Sequence, residues 1–112
     1  PGPRRADLEE RYGLAGRETV LLFGRMDASE QRKGFDEMLE AWPTIRAERP
    51  GIRLIFAGDG NDSDRLKAKA ADLGIAEDVV FTGFVPEAEK ADVYRLADAY
   101  VMPSTQEGFG FV

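Results

Sequence analysis

The sequence predicts an α/β domain: a parallel sheet of four strands in the order 3-2-1-4, flanked by helices. Three observations carry the parallel α/β class; the strand order is taken as the doubly wound one. Short apolar runs at 19–23, 52–57, 79–82 and 99–102 alternate with stretches of helical periodicity. The runs are close to continuously apolar, as expected of strands covered on both faces. Each connection is long enough for a right-handed crossover between parallel neighbours.

The elements follow in order. Residues 4–12 read as a short charged helix ended by Gly13, either a linker from a preceding domain or a solvated N-terminal cap. Thr19-Val20-Leu21-Leu22-Phe23 is the first strand, closed by Gly24, and a polar loop runs from Arg25 to Lys33. Phe35, Met38, Leu39, Trp42 and Ile45 then fall at helical spacing, giving an amphipathic helix over about 34–48 with a kink expected at Pro43. The Trp42 stripe reads as core, not as a ligand platform. Pro50-Gly51 turn the chain into the second strand, which ends at Gly58-Asp59-Gly60. Asn61 to Asp64 offer N-cap oxygens and early negative charge to a helix that ends near Leu73, with Gly74 as its C′ residue. Val79 to Thr82 form the third strand, and Gly83-Phe84-Val85-Pro86 lead into a helix from Glu87 to about Leu96. Ala99 to Met102 form the fourth strand, stopped by Pro103 and expected to lie at a sheet edge. An uncovered apolar edge would favour self-association.

Composition narrows the chemistry. The chain has 112 residues, which suits one small domain. It has no cysteine and no histidine, so disulfides, thiolate metal sites and imidazole general bases are excluded. The net charge of −6, without a basic stripe, argues against a nucleic-acid partner. No apolar run approaches the roughly 20 residues of a membrane span. The start lacks an initiator Met and a secretory pattern, so the chain reads as a piece of a longer protein, expected in the cytoplasm or peripheral to a membrane.

In a doubly wound sheet, ligands bind past the carboxyl ends of the strands, where strand order reverses. With the order 3-2-1-4 the reversal falls between the first and fourth strands. The loops meeting there are Gly24-Arg25 to Lys33-Gly34, and Pro103 to Gly110. Arg25 and Lys33 can hold a diphosphate through fork and point-charge donors, aided by the amides opening the following helix. Equally, both are plain surface cations, with Arg25 paired to Asp27. Glu107-Gly108-Phe109-Gly110 sets a carboxylate before two glycines, so that backbone approaches a ligand while the acid meets sugar hydroxyls or a developing cation. A loop acid of this kind can also be merely solvated. Gly58-Asp59-Gly60 begins like a dinucleotide fingerprint, but it follows the second strand and position 63 is Ser, so a tight turn is preferred. There is no Gly-Lys-Ser/Thr phosphate loop, and a phosphoacceptor role for Asp59 has no supporting acids.

Four stretches in order carry a family resemblance. They are Gly24-Arg25 with Lys33-Gly34; Leu54 to Gly60; Val80 to Val85; and Met102-Pro103-Ser104 with Glu107-Gly108-Phe109-Gly110. Together they resemble the C-terminal, donor-binding half of retaining glycosyltransferases of family 4, which have the two-domain GT-B fold with Rossmann-like halves. The resemblance implies a linker helix and lead-in loop at 1–18 and a partial nucleotide-sugar-binding domain at 19–112. It implies that Arg25 and Lys33 bind the donor diphosphate, and that backbone at Gly83, Phe84 and Val85 contacts the nucleobase. Glu107 would be the first acid of a Glu-x7-Glu motif near the transferred sugar; the second would fall at position 115, past Val112. Gly108, Phe109 and Gly110 would supply amides near the diphosphate and sugar. No cofactor and no metal are implied; the partners are a nucleoside-diphosphate sugar and a separate N-terminal acceptor domain. The scarcity of paired acids near the phosphate loops agrees with leaving-group stabilisation by cations. Without that acceptor domain the 112 residues are expected to be inactive alone. Two other readings stay open: a non-catalytic nucleotide- or phosphate-binding module, and a purely structural α/β piece.

Overall fold

The computed structural model describes residues 5–27, 34–102 and 110–111. Its elements are α1 (Ala6–Tyr12), β1 (Thr19–Phe23), α2 (Phe35–Glu48), β2 (Arg53–Ala57), α3 (Ser63–Asp72), β3 (Val79–Phe81), α4 (Lys90–Tyr94), β4 (Ala99–Met102) and β5 (Gly110–Phe111). One sheet runs β3-β2-β1-β4-β5. Its first four strands are parallel, in the expected order 3-2-1-4.

The unbroken apolarity of the central strands follows from burial on both faces. Leu22, Leu54 and Phe56 join α2 and α3 residues Phe35, Leu39, Trp42 and Leu66 in one core. Leu21, Ile55 and Ala57 point the other way, into a second core with Leu8, Leu14, Val93 and Leu96. Neighbouring residues of each strand thus serve opposite layers. Each fully buried Leu, Ile, Val, Phe or Met side chain contributes about 1.5–3 kcal/mol. α1 belongs to the second layer, because Leu8 and Leu14 are completely buried.

Polar contacts at the amino ends of the strands lock the register. The Thr19 amide donates to Asp98 Oδ2 at 2.8 Å, and the Thr19 hydroxyl donates to the Leu96 carbonyl. The Asp98 amide returns a bond to the Thr19 carbonyl at 3.0 Å. These bonds hold β1 beside β4 at one end, and so fix which loops meet at the other. On the α2 side the buried Asp78 accepts from Trp42 Nε1 at 3.1 Å and from the Arg53 guanidinium at 3.2 Å. A buried indole N–H needs such an acceptor.

Three expectations are corrected. β4 is not an edge: β5 pairs with it antiparallel, Val101 opposite Phe111 and Met102 opposite Gly110. The helix expected over 87–96 is a 3-10 turn at Glu87–Glu89 followed by the five-residue α4. Its opening turn has no buried residue, so no packing rewards regular α-geometry there. Finally, the N-cap position of α3, Asp62, makes no side-chain capping bond. Its carboxylate is held instead by the Arg65 guanidinium, at 2.9 and 2.7 Å. A bidentate charged fork outcompetes a neutral backbone amide for the same oxygens.

Candidate functional site at the carboxyl ends of the strands

The strand order reverses between β1 and β4, which pair with Leu22 opposite Val101. The chain therefore leaves Phe23 and Met102 side by side. Gly24 follows at once, and its amide donates to the Ala57 carbonyl at 3.0 Å. On the α4 face this end of the sheet rests on aromatics. The Phe23 and Tyr94 rings stack at 5.1 Å, and Tyr94 meets Tyr100 edge-on at 5.0 Å. Burial, with the Tyr94 contact, pushes the Tyr100 hydroxyl up to about 12. On the α2 face Phe35, Phe56 and Phe81 form an edge-to-face row with centroids 4.9 and 5.4 Å apart.

Above this floor the loops after β1, β2 and β3 pack backbone on backbone. Gly58 bridges to Gly83, and its amide donates to the Thr82 hydroxyl at 3.2 Å. Gly58 has φ 122°, and a Cβ there would overlap the Gly24 carbonyl. Only glycine satisfies both conditions. A Cβ on Gly60 would overlap the Met26 carbonyl and come within 2.7 Å of the Met26 amide nitrogen. The Met26 amide donates to the Asp59 carbonyl at 3.1 Å, and the Met26 carbonyl accepts from the Asp62 amide at 2.7 Å. The turn after β2 is therefore a seat for the loop after β1. The sequence reading preferred a tight turn here and counted it in the family resemblance, without linking it to the loop after β1; the paired glycines were the available signal.

Arg25 leaves this seat with a side chain 69% exposed. Its Nε donates to Asp27 Oδ2 at 2.8 Å and its Nη2 to Asp27 Oδ1 at 3.3 Å. This is the pair that the surface-cation reading expects. Asp27 is far less exposed, at 17%, and its Oδ1 also accepts the Asn61 amide at 3.3 Å. Asp27 was not among the sequence-derived site residues, although it stands two positions after Arg25.

The structure thus brings Gly24, Arg25 and Gly83 to one end of the sheet, joined through Gly58. Gly110 opens β5, beside Met102. Phe84 is 74% exposed, whereas Val85 is buried in the second core, so its side chain is structural. Lys33, Glu107, Gly108 and Phe109 lie outside the described residues. Among the described residues, no helix is long and apolar enough to cross a membrane.

Comparison with known proteins adds to this geometry. The family model described as glycosyl transferases group 1 matches residues 5–112. A GDP-mannose-dependent alpha-(1-6)-phosphatidylinositol monomannoside mannosyltransferase of Mycolicibacterium smegmatis is 38% identical over 106 residues, 95% of this chain and 27% of its own. The chain thus spans about a quarter of the length of that curated relative. Among solved structures, the C-terminal domain of the group 1 family protein LpcC from Francisella tularensis superposes with a TM-score of 0.75 at 25% identity. That match covers 98% of this chain and 58% of the other. Anabaena HepE, solved in complex with UDP, shares the fold with a TM-score of 0.72 at 24% identity, over 92% of this chain and 28% of its own.

Proposed function

The chain belongs to the group 1 glycosyl transferases, and on that premise we propose that it is the nucleotide-sugar-binding part of a retaining enzyme of the GT-B type. The observation that carries the proposal is the reversal of strand order between β1 and β4, which gathers Gly24, Arg25 and the exit of β4 at one end of the sheet, where ligands of such folds bind. In this reading Arg25 and Lys33 hold the donor diphosphate and stabilise it as it leaves. The backbone at Gly83, Phe84 and Val85 receives the nucleobase. Glu107 is assigned to the transferred sugar, and Gly108, Phe109 and Gly110 are assigned to supply amides to the diphosphate and sugar. No metal takes part. The acceptor sits on a separate N-terminal domain, and transfer requires both halves. The relative named as GDP-mannose-dependent makes that donor the first to test.

Calorimetric titration with GDP and GDP-mannose tests this reading. A charge-assisted contact is worth about 1.5–3 kcal/mol, so Arg25→Ala should weaken GDP binding by about tenfold or more. Glu107→Ala should weaken GDP-mannose binding and leave GDP binding unchanged. GDP binding no tighter than guanosine would overturn the assignment. The Arg25–Asp27 pair favours a second reading, a structural or non-catalytic module in which Arg25 is a surface cation. There, Arg25→Ala leaves GDP binding as it was.

A further inference from the structure

We propose that Asp27 is a positioning residue for Arg25, holding its guanidinium at the donor diphosphate from across the turn that follows β2. The inference rests on the reading of Arg25 as a diphosphate ligand and adds a residue to it.

Asp27 has the geometry of an anchor. Arg25 is 69% exposed and long, so on its own it samples many rotamers. Asp27 is 17% exposed and tethered, because its Oδ1 accepts the Asn61 amide from a loop 34 positions away. That loop is itself fixed under the Arg25 loop by the Met26–Asp59 and Asp62–Met26 backbone bonds, at 3.1 and 2.7 Å. The chain of contact runs from sheet to turn, from turn to carboxylate, and from carboxylate to guanidinium.

The side of the guanidinium that Asp27 takes matters. It engages Nε and Nη2. A guanidinium carries five N–H donors on two usable edges. Bidentate phosphate recognition through the Nη1–Nη2 edge is compatible with the fork that Asp27 makes on the Nε edge. Asp27 thus orients the cation without having to be displaced by the ligand. A carboxylate that merely neutralised Arg25 would compete with phosphate, and the two roles predict opposite signs.

The test is a double-mutant cycle read with two ligands, GDP and guanosine, on the folded protein. Asp27→Ala should weaken GDP binding by about tenfold, the scale of one charge-assisted hydrogen bond, while guanosine binding stays unchanged. In an Arg25→Ala background the Asp27→Ala change should have no further effect on GDP. Asp27→Asn keeps an oxygen for the guanidinium and the Asn61 amide, so it should recover part of the loss and controls for misfolding.

Tighter GDP binding by Asp27→Ala would show a competitor and overturn the inference. So would an Asp27→Ala loss that persists without Arg25, or an equal loss for guanosine. If Arg25→Ala weakens GDP binding and Asp27→Ala does not, the positioning role fails while the site stands. If Arg25→Ala itself has no effect, the diphosphate assignment fails and the inference falls with it.

Discussion

Gly60 lies outside the left-handed backbone region, so an alanine there meets no conformational barrier; the obstacle is the Met26 backbone lying where a Cβ would go. Backbone cannot give way as a flexible side chain can. Gly60→Ala should therefore destabilise the fold by about 2–3 kcal/mol, the upper range for overpacking, measured as a shift in chemical denaturation. An unchanged midpoint would mean that the two loops slide apart freely. Residues of this kind divide what was legible from what was not. Arg25 stood out because a cation just past a strand end suits an anionic ligand. The role of Asp27 did not, because it depends on an amide 34 positions away. Asn61 to Asp64 were expected to offer cap oxygens to α3, but for Asp62 the choice between an amide and a guanidinium is settled only by where Arg65 lies in space.

At the scale of elements, α2 and α3 are stitched together by charge above their shared apolar core. Asp36 accepts a fork from Arg65 at 2.9 and 2.8 Å and a bond from Lys69 Nζ at 2.8 Å. These bonds, that from Arg65 foremost, hold the Asp36 carboxyl down at about 2 against an ordinary 3.8. A depressed carboxyl stabilises the fold when ionised, so its contribution is complete above about pH 4 and is lost as the pH falls towards 2. Stability of the wild type should drop through that window. Asp36→Asn should be less stable at neutral pH and show a flatter decline on acidification. Parallel slopes for the two proteins would remove Asp36 from the account. The strands were legible because burial on both faces leaves long apolar runs, as at Thr19–Phe23. α4 was less so: its buried residue is Val93, and the turn from Glu87 to Glu89 buries none, so packing does not support helix over the full stretch from Glu87.

Over the whole molecule, parallel pairing followed from alternating elements and crossover length; the order 3-2-1-4 was a premise borrowed from doubly wound sheets, the structure has it, and it sets the candidate site. β5 escaped notice because Gly110–Phe111 has two residues, begins with glycine, and acquires meaning only when paired with β4. Its presence changes the expectation for association. Removing residues 110–112 would strip β4 of its antiparallel neighbour, and light scattering should then show association that rises with concentration more steeply than in the full chain. Equal curves would mean that β5 gives β4 no protection. The seam of Gly24, Gly58, Gly60 and Gly83 has a different consequence, for engineering. The loops there rest on one another through main-chain atoms, whereas Arg25 and Phe84 project outward, 69% and 74% exposed. Frame and surface are thus separable. A library that varies positions 25 and 84 should keep its melting temperature almost throughout while ligand preference drifts, and one that varies Gly58 and Gly60 should lose its folded members first.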